Sequence, residues 1–430
     1  MDKKLHVKFL VFVVFLFFYK PLFSGTLNLR TFPFENFDLE EESFSKKISL
    51  PEMTAFAILN GYETREKGED LLQKKYMIDQ SFGRILPHIG LSTVVAFSLG
   101  NFIEVASSFV GFMFPSRWYS WKEKSSLSQA EKESFRTFLA NRINEIETIY
   151  YNIHLFTLQV KMINFYKNQI INIISTIEGQ IEKKGRKITD EEIGLLYTIK
   201  AQLSYRSRYI QSELQKVYSN LFFLLGLNGN LKGFCIEMIS LKKIDEEVKE
   251  AKDPDFNEVY RKSREIKNLD ALKQASKFSL KQEIYSYFQP QMQNPIGWGY
   301  FPSIKISRSR IKQIEVYYQK TLADLKRSTE IVIIKKNQAV EQYKIGLRQK
   351  TAMDGPTRAL ERNILNIKEQ FDIEKAIRFF DFGLEGDSII TANIHLFWQA
   401  KSHMNRLLWQ GKNYDGIEEV VVKYYGKNKI

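Results

Sequence analysis

The sequence predicts a mainly α-helical protein with a small β part, built as two repeats of long coiled-coil hairpins. Three observations carry that expectation. Prolines fall at 21, 33, 51, 87 and 115 and then not again until 254, so nothing in the intervening stretch forces a helix to stop. Within it apolar residues such as Ile143, Ile146, Ile149 and Ile153 recur at three- and four-residue steps, the spacing of one helix face. Glycines at 185 and 383 then punctuate the chain where two antiparallel helices would turn, as a tight turn needing positive φ requires. With 44% apolar and 26% charged residues, the chain has the composition of a folded protein.

The elements follow in order. Residues 1–25 read as a signal peptide: Lys3, Lys4 and Lys8 precede an apolar run from Phe9 to Tyr19, and Ser24-Gly25 supply small residues. Removing residues 1–24 lowers the net charge from +13 to +10. Residues 26–47 form an N-terminal extended segment. Repeat 1 covers 48–241 and opens with a charged helix that ends at Leu86-Pro87, with Pro87 as the strand-entry residue.

The extended segment after it, from His88 to Trp121, holds two runs of about ten residues separated by Gly100-Asn101. Each run has the length of a tilted membrane β-strand, and the aromatics at 112, 114, 118, 119 and 121 suit an interfacial girdle. A buried hairpin in a soluble domain fits these residues equally well. A helix then reads from about Leu127 to Glu182, roughly 80 Å long. Gly185 breaks it, and Thr189 followed by Asp190, Glu191 and Glu192 reads as an N-cap with acids in the first turn. The second arm runs to about Leu225 and stops at "GLNGN".

Residues 242–268 are heavily charged and read either as a packed connector or as a solvated linker. Repeat 2, residues 269–430, repeats the plan. A helix ends at Pro290, the second strand-entry residue, and sliding 60–89 onto 263–292 places Pro87 on Pro290 without a gap. "QMQNPIGWGYFPSIKIS" leaves room for one strand or two very short ones. Helix resumes from about Ser309 to Phe382 with a break at 354–356, turns at Gly383, and continues to about Tyr425.

In that order and spacing the chain resembles the outer-membrane efflux proteins of the TolC family. "ISLPEMTAFAILNGYETREKGEDLLQKKYMIDQSFGRILPHIGLS" resembles the family's opening helix with its Leu-Pro step into the first membrane strand. "LQKVYSNLFFLLGLNG" resembles the helix that closes a repeat, and "AIRFFDFGLEGDSIITANIHLFWQAK" the turn of the second repeat. The resemblance implies a homotrimer whose protomers share a membrane β-barrel and an α-helical periplasmic barrel. It also implies an outer-membrane location with a large periplasmic part and outer-membrane lipid around the strands. A periplasmic adaptor protein and an inner-membrane pump would be the partners, and the duct would be passive. Adaptor contact would fall on the turn residues Gly185, Arg186, Lys187, Thr189, Gly383, Leu384 and Ser388. Two departures stand out. The strand region of repeat 2 is short, and the acids the family carries six and nine positions after the second turn glycine are here Ile389 and Ala392. A divergent periplasmic coiled-coil scaffold without a complete pore is the alternative those departures leave.

Chemistry of other kinds finds no support in the residues. His6, His88, His154, His395 and His403 are dispersed, and no nucleophile, P-loop or zinc motif occurs. The expectation is therefore no enzyme, no catalytic residue, no metal and no cofactor. Cys235 is the only cysteine, so no intramolecular disulfide forms. Lys and Glu interleave along most helices, as on solvated faces, which argues against nucleic acid as a partner.

Overall fold

The computed structural model describes residues 29–30, 33, 47–83, 85, 114–184, 188–227, 235–239, 247–248, 253–286, 300–366 and 370–425. The expected signal peptide, most of the segment 26–47, Pro87, Pro290, the hairpin region 88–113 and Gly185, Arg186 and Lys187 lie outside them. In chain order the elements are β1 (Lys47–Ile48), α1 (Leu50–Asn60), α2 (Tyr62–Gly83), α3 (Pro115–Lys184), α4 (Asp190–Leu224) and β2 (Cys235–Ile236). Then come α5 (Phe256–Lys262), α6 (Arg264–Ser286), α7 (Tyr300–Ala352), α8 (Asp354–Leu365), α9 (Ile373–Leu408), a 3-10 turn (Lys412–Tyr414) and α10 (Ile417–Tyr425). The described β part is one parallel pairing of β1 with β2, Lys47 opposite Cys235 and Ile48 opposite Ile236.

The helices match in pairs. α3 has 70 residues and α4 has 35; Tyr300 to Leu365 spans 66 residues and α9 has 36. Each pair is a long arm followed by an arm half its length. The long arm of the second pair is broken at Met353, where "DGP" begins α8 and Thr357 N–H returns to the Met353 carbonyl at 2.9 Å.

Local chemistry explains the starts and stops. Pro51, Pro115, Pro302 and Pro356 all sit in the first turn of a helix, where a missing N–H has no intrahelical partner to lose. The expectation that residues 115–121 and 300–307 are extended is therefore corrected: both stretches are helical. Thr189 starts α4 with a reciprocal capping box. Its N–H and hydroxyl both donate to Glu192 Oε2, at 2.9 and 3.0 Å, and Glu192 N–H donates to Thr189 Oγ1 at 3.3 Å. At the far end Gly226 has φ +69. Its N–H reaches the Phe223 carbonyl at 3.0 Å and Leu227 N–H reaches that of Phe222 at 3.0 Å, a Schellman stop.

The chain divides into two units. One comprises Met1–Pro33, Lys161–Ser207 and Leu347–Asp387; the other comprises Phe34–Val160, Arg208–Gly346 and Ser388–Ile430. In the larger unit Ile58 and Leu71 join Phe135, Leu139 and Ile143 of α3 and Val420 and Val421 of α10 in one core cluster. Val259 of α5 and Ile266 of α6 bury against Leu325 and Leu408, so the stretch around 256–266 is packed. In the smaller unit the buried stripe is Tyr166, Ile170, Ile173 and Ile177 of α3, with Leu360, Ile364, Phe379 and Phe380.

Candidate functional site

The residues expected at helix-hairpin turns are the functional candidates, and the two turns come out differently. In the first, Thr189 is exposed and caps α4. Its hydroxyl is therefore occupied within the first turn of α4, donating to the Glu192 carboxylate and accepting from the Glu192 N–H.

The second turn is not at Gly383. Gly383, Leu384 and Ser388 lie inside α9, and the chain reverses between α8 and α9 instead. Packing explains this. Partners advance along α7 as they retreat along α9: Leu325 meets Leu408, Val332 meets Met404, and Gly346 and Gln349 meet Ile390 and Gly386. The midpoint of those pairs falls at about residue 367. No glycine marks that turn. Asn363 braces it with its side chain, donating to the Gln370 carbonyl at 3.1 Å and accepting from Asp372 N–H at 3.0 Å. Asp372 then caps α9 by accepting from Lys375 N–H at 3.2 Å. Burial pushes the Asp372 carboxyl up, but the hydrogen bonds and charge of Lys375 prevail and hold it below the usual range. Gln180 of α3 donates to the Ile364 carbonyl at 2.9 Å, so the two hairpins are tied together close to both turns.

Gly383 has a different duty. An added Cβ there would lie 2.8 Å from the Tyr166 hydroxyl oxygen. Tyr166 is fully buried, sits edge-on to Phe379 and Phe380, and donates its hydroxyl to Asp387 Oδ2 at 2.6 Å. Tyr166, Asp387, Asn363 and Asp372 are the residues that sequence reading missed here. An Asp followed by "IEKA" was the available signal for the α9 cap. With Gly383 inside a helix, counting acids from it to Ile389 and Ala392 loses its reference point.

The larger unit carries polar tethers between repeats. Arg136 of α3 donates to Glu418 at 2.8 and 2.7 Å and to Glu133 at 2.5 Å. Ser402 of α9 bridges Asn144 and Glu147 of α3, and Asn413 also donates to Glu147. Burial raises the Glu147 carboxyl above the usual range, against the hydrogen bonds from Ser402 and Asn413. His154 packs against Tyr150 and Trp398, and burial drives its imidazole down to about 3. His395 is lowered to about 4, again by burial, with a hydrogen bond to the Tyr151 backbone working the other way. These groups are set up to hold helices together. Among the described residues no three His, Cys, Asp or Glu side chains converge as metal ligands. No described helix is long and apolar enough to cross a membrane.

Solved structures superpose on this chain along nearly its whole length. A membrane protein from Pseudomonas aeruginosa superposes with a TM-score of 0.69 at 9% identity, covering 89% of this chain and 99% of that one. The Campylobacter jejuni CmeC outer membrane channel gives 0.68 at 10% identity, over 92% and 98%. The open state of the Neisseria gonorrhoeae MtrE outer membrane channel gives 0.66 at 10% identity, over 90% and 99%. This is the TolC-like fold. No family model matches the sequence, and no curated protein matches it significantly. The TolC-like fold is thus carried here by helix lengths, caps and packing at an identity where few individual residues persist.

Proposed function

We infer that this chain is the outer-membrane channel component of a tripartite efflux or type I secretion system, a passive export duct from periplasm to exterior. The observation that carries the reading is the superposition on outer-membrane channels over nearly the whole length of both chains. The exposed apolar surface of α7 supports assembly with further copies, as in a homotrimer. Ile306, Val316, Tyr317, Ile331, Ile334 and Ile345 are all exposed and fall on one side of the helix by its 3.6-residue period. Neighbouring copies would cover that stripe. In the assembled duct Thr189 and the 366–372 turn would meet a periplasmic adaptor that connects to an inner-membrane pump, and outer-membrane lipid would surround residues 88–113. Gly185, Arg186 and Lys187 belong to the same proposed contact.

One observation favours a second reading, a periplasmic coiled-coil scaffold without a complete pore. Tyr300 hydroxyl donates to the Ile284 carbonyl at 3.1 Å, pinning α7's start beside α6's end. The segment 287–299 that joins them has thirteen residues. Fully extended it covers about 45 Å, or roughly 22 Å out and back, short of a hydrocarbon core of ~30 Å. The segment between α2 and α3 is more than twice as long and has no such limit.

The deciding experiment is purification in mild detergent followed by reconstitution in planar bilayers. Trimers with stepwise ion conductance are expected of the duct. Trimers that insert without conducting would mark the pore as incomplete, and a monodisperse monomer would remove the duct and leave the scaffold.

A further inference from the structure

Four helix ends of the larger unit meet where the chain leaves toward residues 86–113 and 287–299. Phe82 at the end of α2 lies 5.9 Å from Trp121 of α3, ring to ring. Tyr119 stacks on Tyr285 at 5.3 Å and on Phe278 at 6.3 Å, both from α6. Lys122 and Lys281 sit over the Tyr119 ring at 5.8 and 5.5 Å. Tyr300 of α7 closes the set through its bond to Ile284. Aromatic rings with cations above them are thus concentrated at this end.

The first turns of α7 extend the pattern outward. Residues 300–314 contain Lys305, Arg308, Arg310 and Lys312 and no acid. Phe301, Lys305, Arg308 and Lys312 stand at i, i+4, i+7 and i+11, one face of the helix, and all four are exposed, Phe301 by 72%. That face is turned roughly a quarter-turn from the apolar stripe of α7, so copies packed on the stripe leave it open. A second copy is a poor occupant, since the face presents three cations before its first acid, Glu315, which Lys273 already pairs at 2.8 Å.

We propose that this face docks on a bilayer surface carrying anionic phospholipid, with Lys305, Arg308 and Lys312 on lipid phosphates and Phe301 among the headgroups. Charge complementarity selects the partner. Long cationic side chains reach headgroup phosphates while their stems stay on the protein, and an aromatic ring prefers the headgroup level. The inference rests on the proposed function only in taking this end of the unit to face the membrane.

The test uses the full chain and a Lys305→Gln, Arg308→Gln, Lys312→Gln triple variant, whose exposed positions and good helix formers should leave helicity and assembly unchanged. Protein is reconstituted in phosphatidylcholine bilayers with trace spin-labelled phosphatidylglycerol or phosphatidylcholine. Parent protein should enrich phosphatidylglycerol several-fold. The enrichment should vanish in the variant and in about 1 M salt, where the screening length is ~3 Å. Carbonate extraction reports insertion separately. A chain that inserts without selecting phosphatidylglycerol, or whose selectivity survives in the variant, overturns this inference and leaves the channel reading intact. For a chain that does not insert, sedimentation with vesicles of about 30 mol% phosphatidylglycerol decides. Each cation at such a surface contributes about fivefold, so the variant should bind on the order of a hundredfold more weakly. Equal binding by both proteins would overturn the proposal.

Discussion

Alanine in place of a helical glycine ordinarily stabilises a protein by up to about 1 kcal/mol, because glycine loses more backbone entropy on folding. At Gly383 the structure predicts the opposite sign. The new Cβ would stand 2.8 Å from Tyr166 Oη, 3.1 Å from Cε1 and 3.2 Å from Cζ, and Tyr166 is fully buried with Phe379 and Phe380 against it. Overpacking of this kind costs about 1–3 kcal/mol. Displacing the ring also stretches its 2.6 Å bond to Asp387, and a hydrogen bond to a charged group is worth about 1.5–3 kcal/mol. Set against the propensity gain, Gly383→Ala should destabilise by about 1–3 kcal/mol. Gly194→Ala in α4 is the control, since its Cβ would meet nothing within 4 Å; it should be neutral or stabilising. Thermal melting followed by far-UV circular dichroism in mild detergent separates the two. Tyr166→Phe removes the closest contact, so Gly383→Ala should cost at least ~1 kcal/mol less in that background. A Gly383→Ala protein that melts at or above the parent temperature, alongside Gly194→Ala, would refute the packing argument.

Thr189→Ala should cost about 1 kcal/mol and speed amide exchange in the first turn of α4, while Thr189→Ser restores it; unchanged exchange would mean the capping box is not formed. Gly226→Ala should cost more than about 1 kcal/mol, because φ is +69 and the new Cβ would come 2.9 Å from the Asn60 carbonyl. Acidification should destabilise the fold. His154 and His395 are lowered to about 3 and about 4, so below the unfolded value of ~6.5 only the unfolded chain takes up their protons. Stability then falls as pH drops from about 6.5 toward 4, with a limiting slope of ~1.4 kcal/mol per pH unit for each. Glu147, raised by burial, runs the other way and offsets part of it. His154→Gln should flatten the profile in denaturant titrations across that range, and an identical profile would show that His154 does not report on folding.

Much of the fold was legible because long helices declare themselves by what they lack. No proline interrupts 116–253, and the Ile143-Ile146-Ile153 periodicity lands on fully buried positions. Thr189 and Gly226 were readable as punctuation because each acts through its own backbone neighbourhood, which the local sequence contains. The second turn was not readable, since Asn363 acts across to Gln370 and Asp372 and no glycine was needed. Gly383 misled for the same reason in reverse: its identity answers to Tyr166, more than two hundred positions away in the chain.

The prolines carry the argument furthest toward function. Read as helix breakers, Pro115 and Pro302 push the helix starts downstream to about 127 and 309 and enlarge both excursions. Read as first-turn residues, which is how they occur, they move the starts upstream to 115 and 300. A proline excludes helix before it far more than after it, so the upstream boundary is the one its chemistry favours. The consequence differs between repeats. The first excursion keeps ample chain for two membrane crossings, whereas the second is cut to thirteen residues between anchored ends. A trimer built from such protomers would have three long excursions and three short ones, one of each from every subunit. Inserting about ten residues after Pro295 would restore the length of a full out-and-back path at ~3.3 Å per residue. If the native protein inserts as a trimer but does not conduct, and the lengthened one does, the short excursion is what closes the pore. If the native protein already conducts, the barrel is completed some other way and the length argument fails.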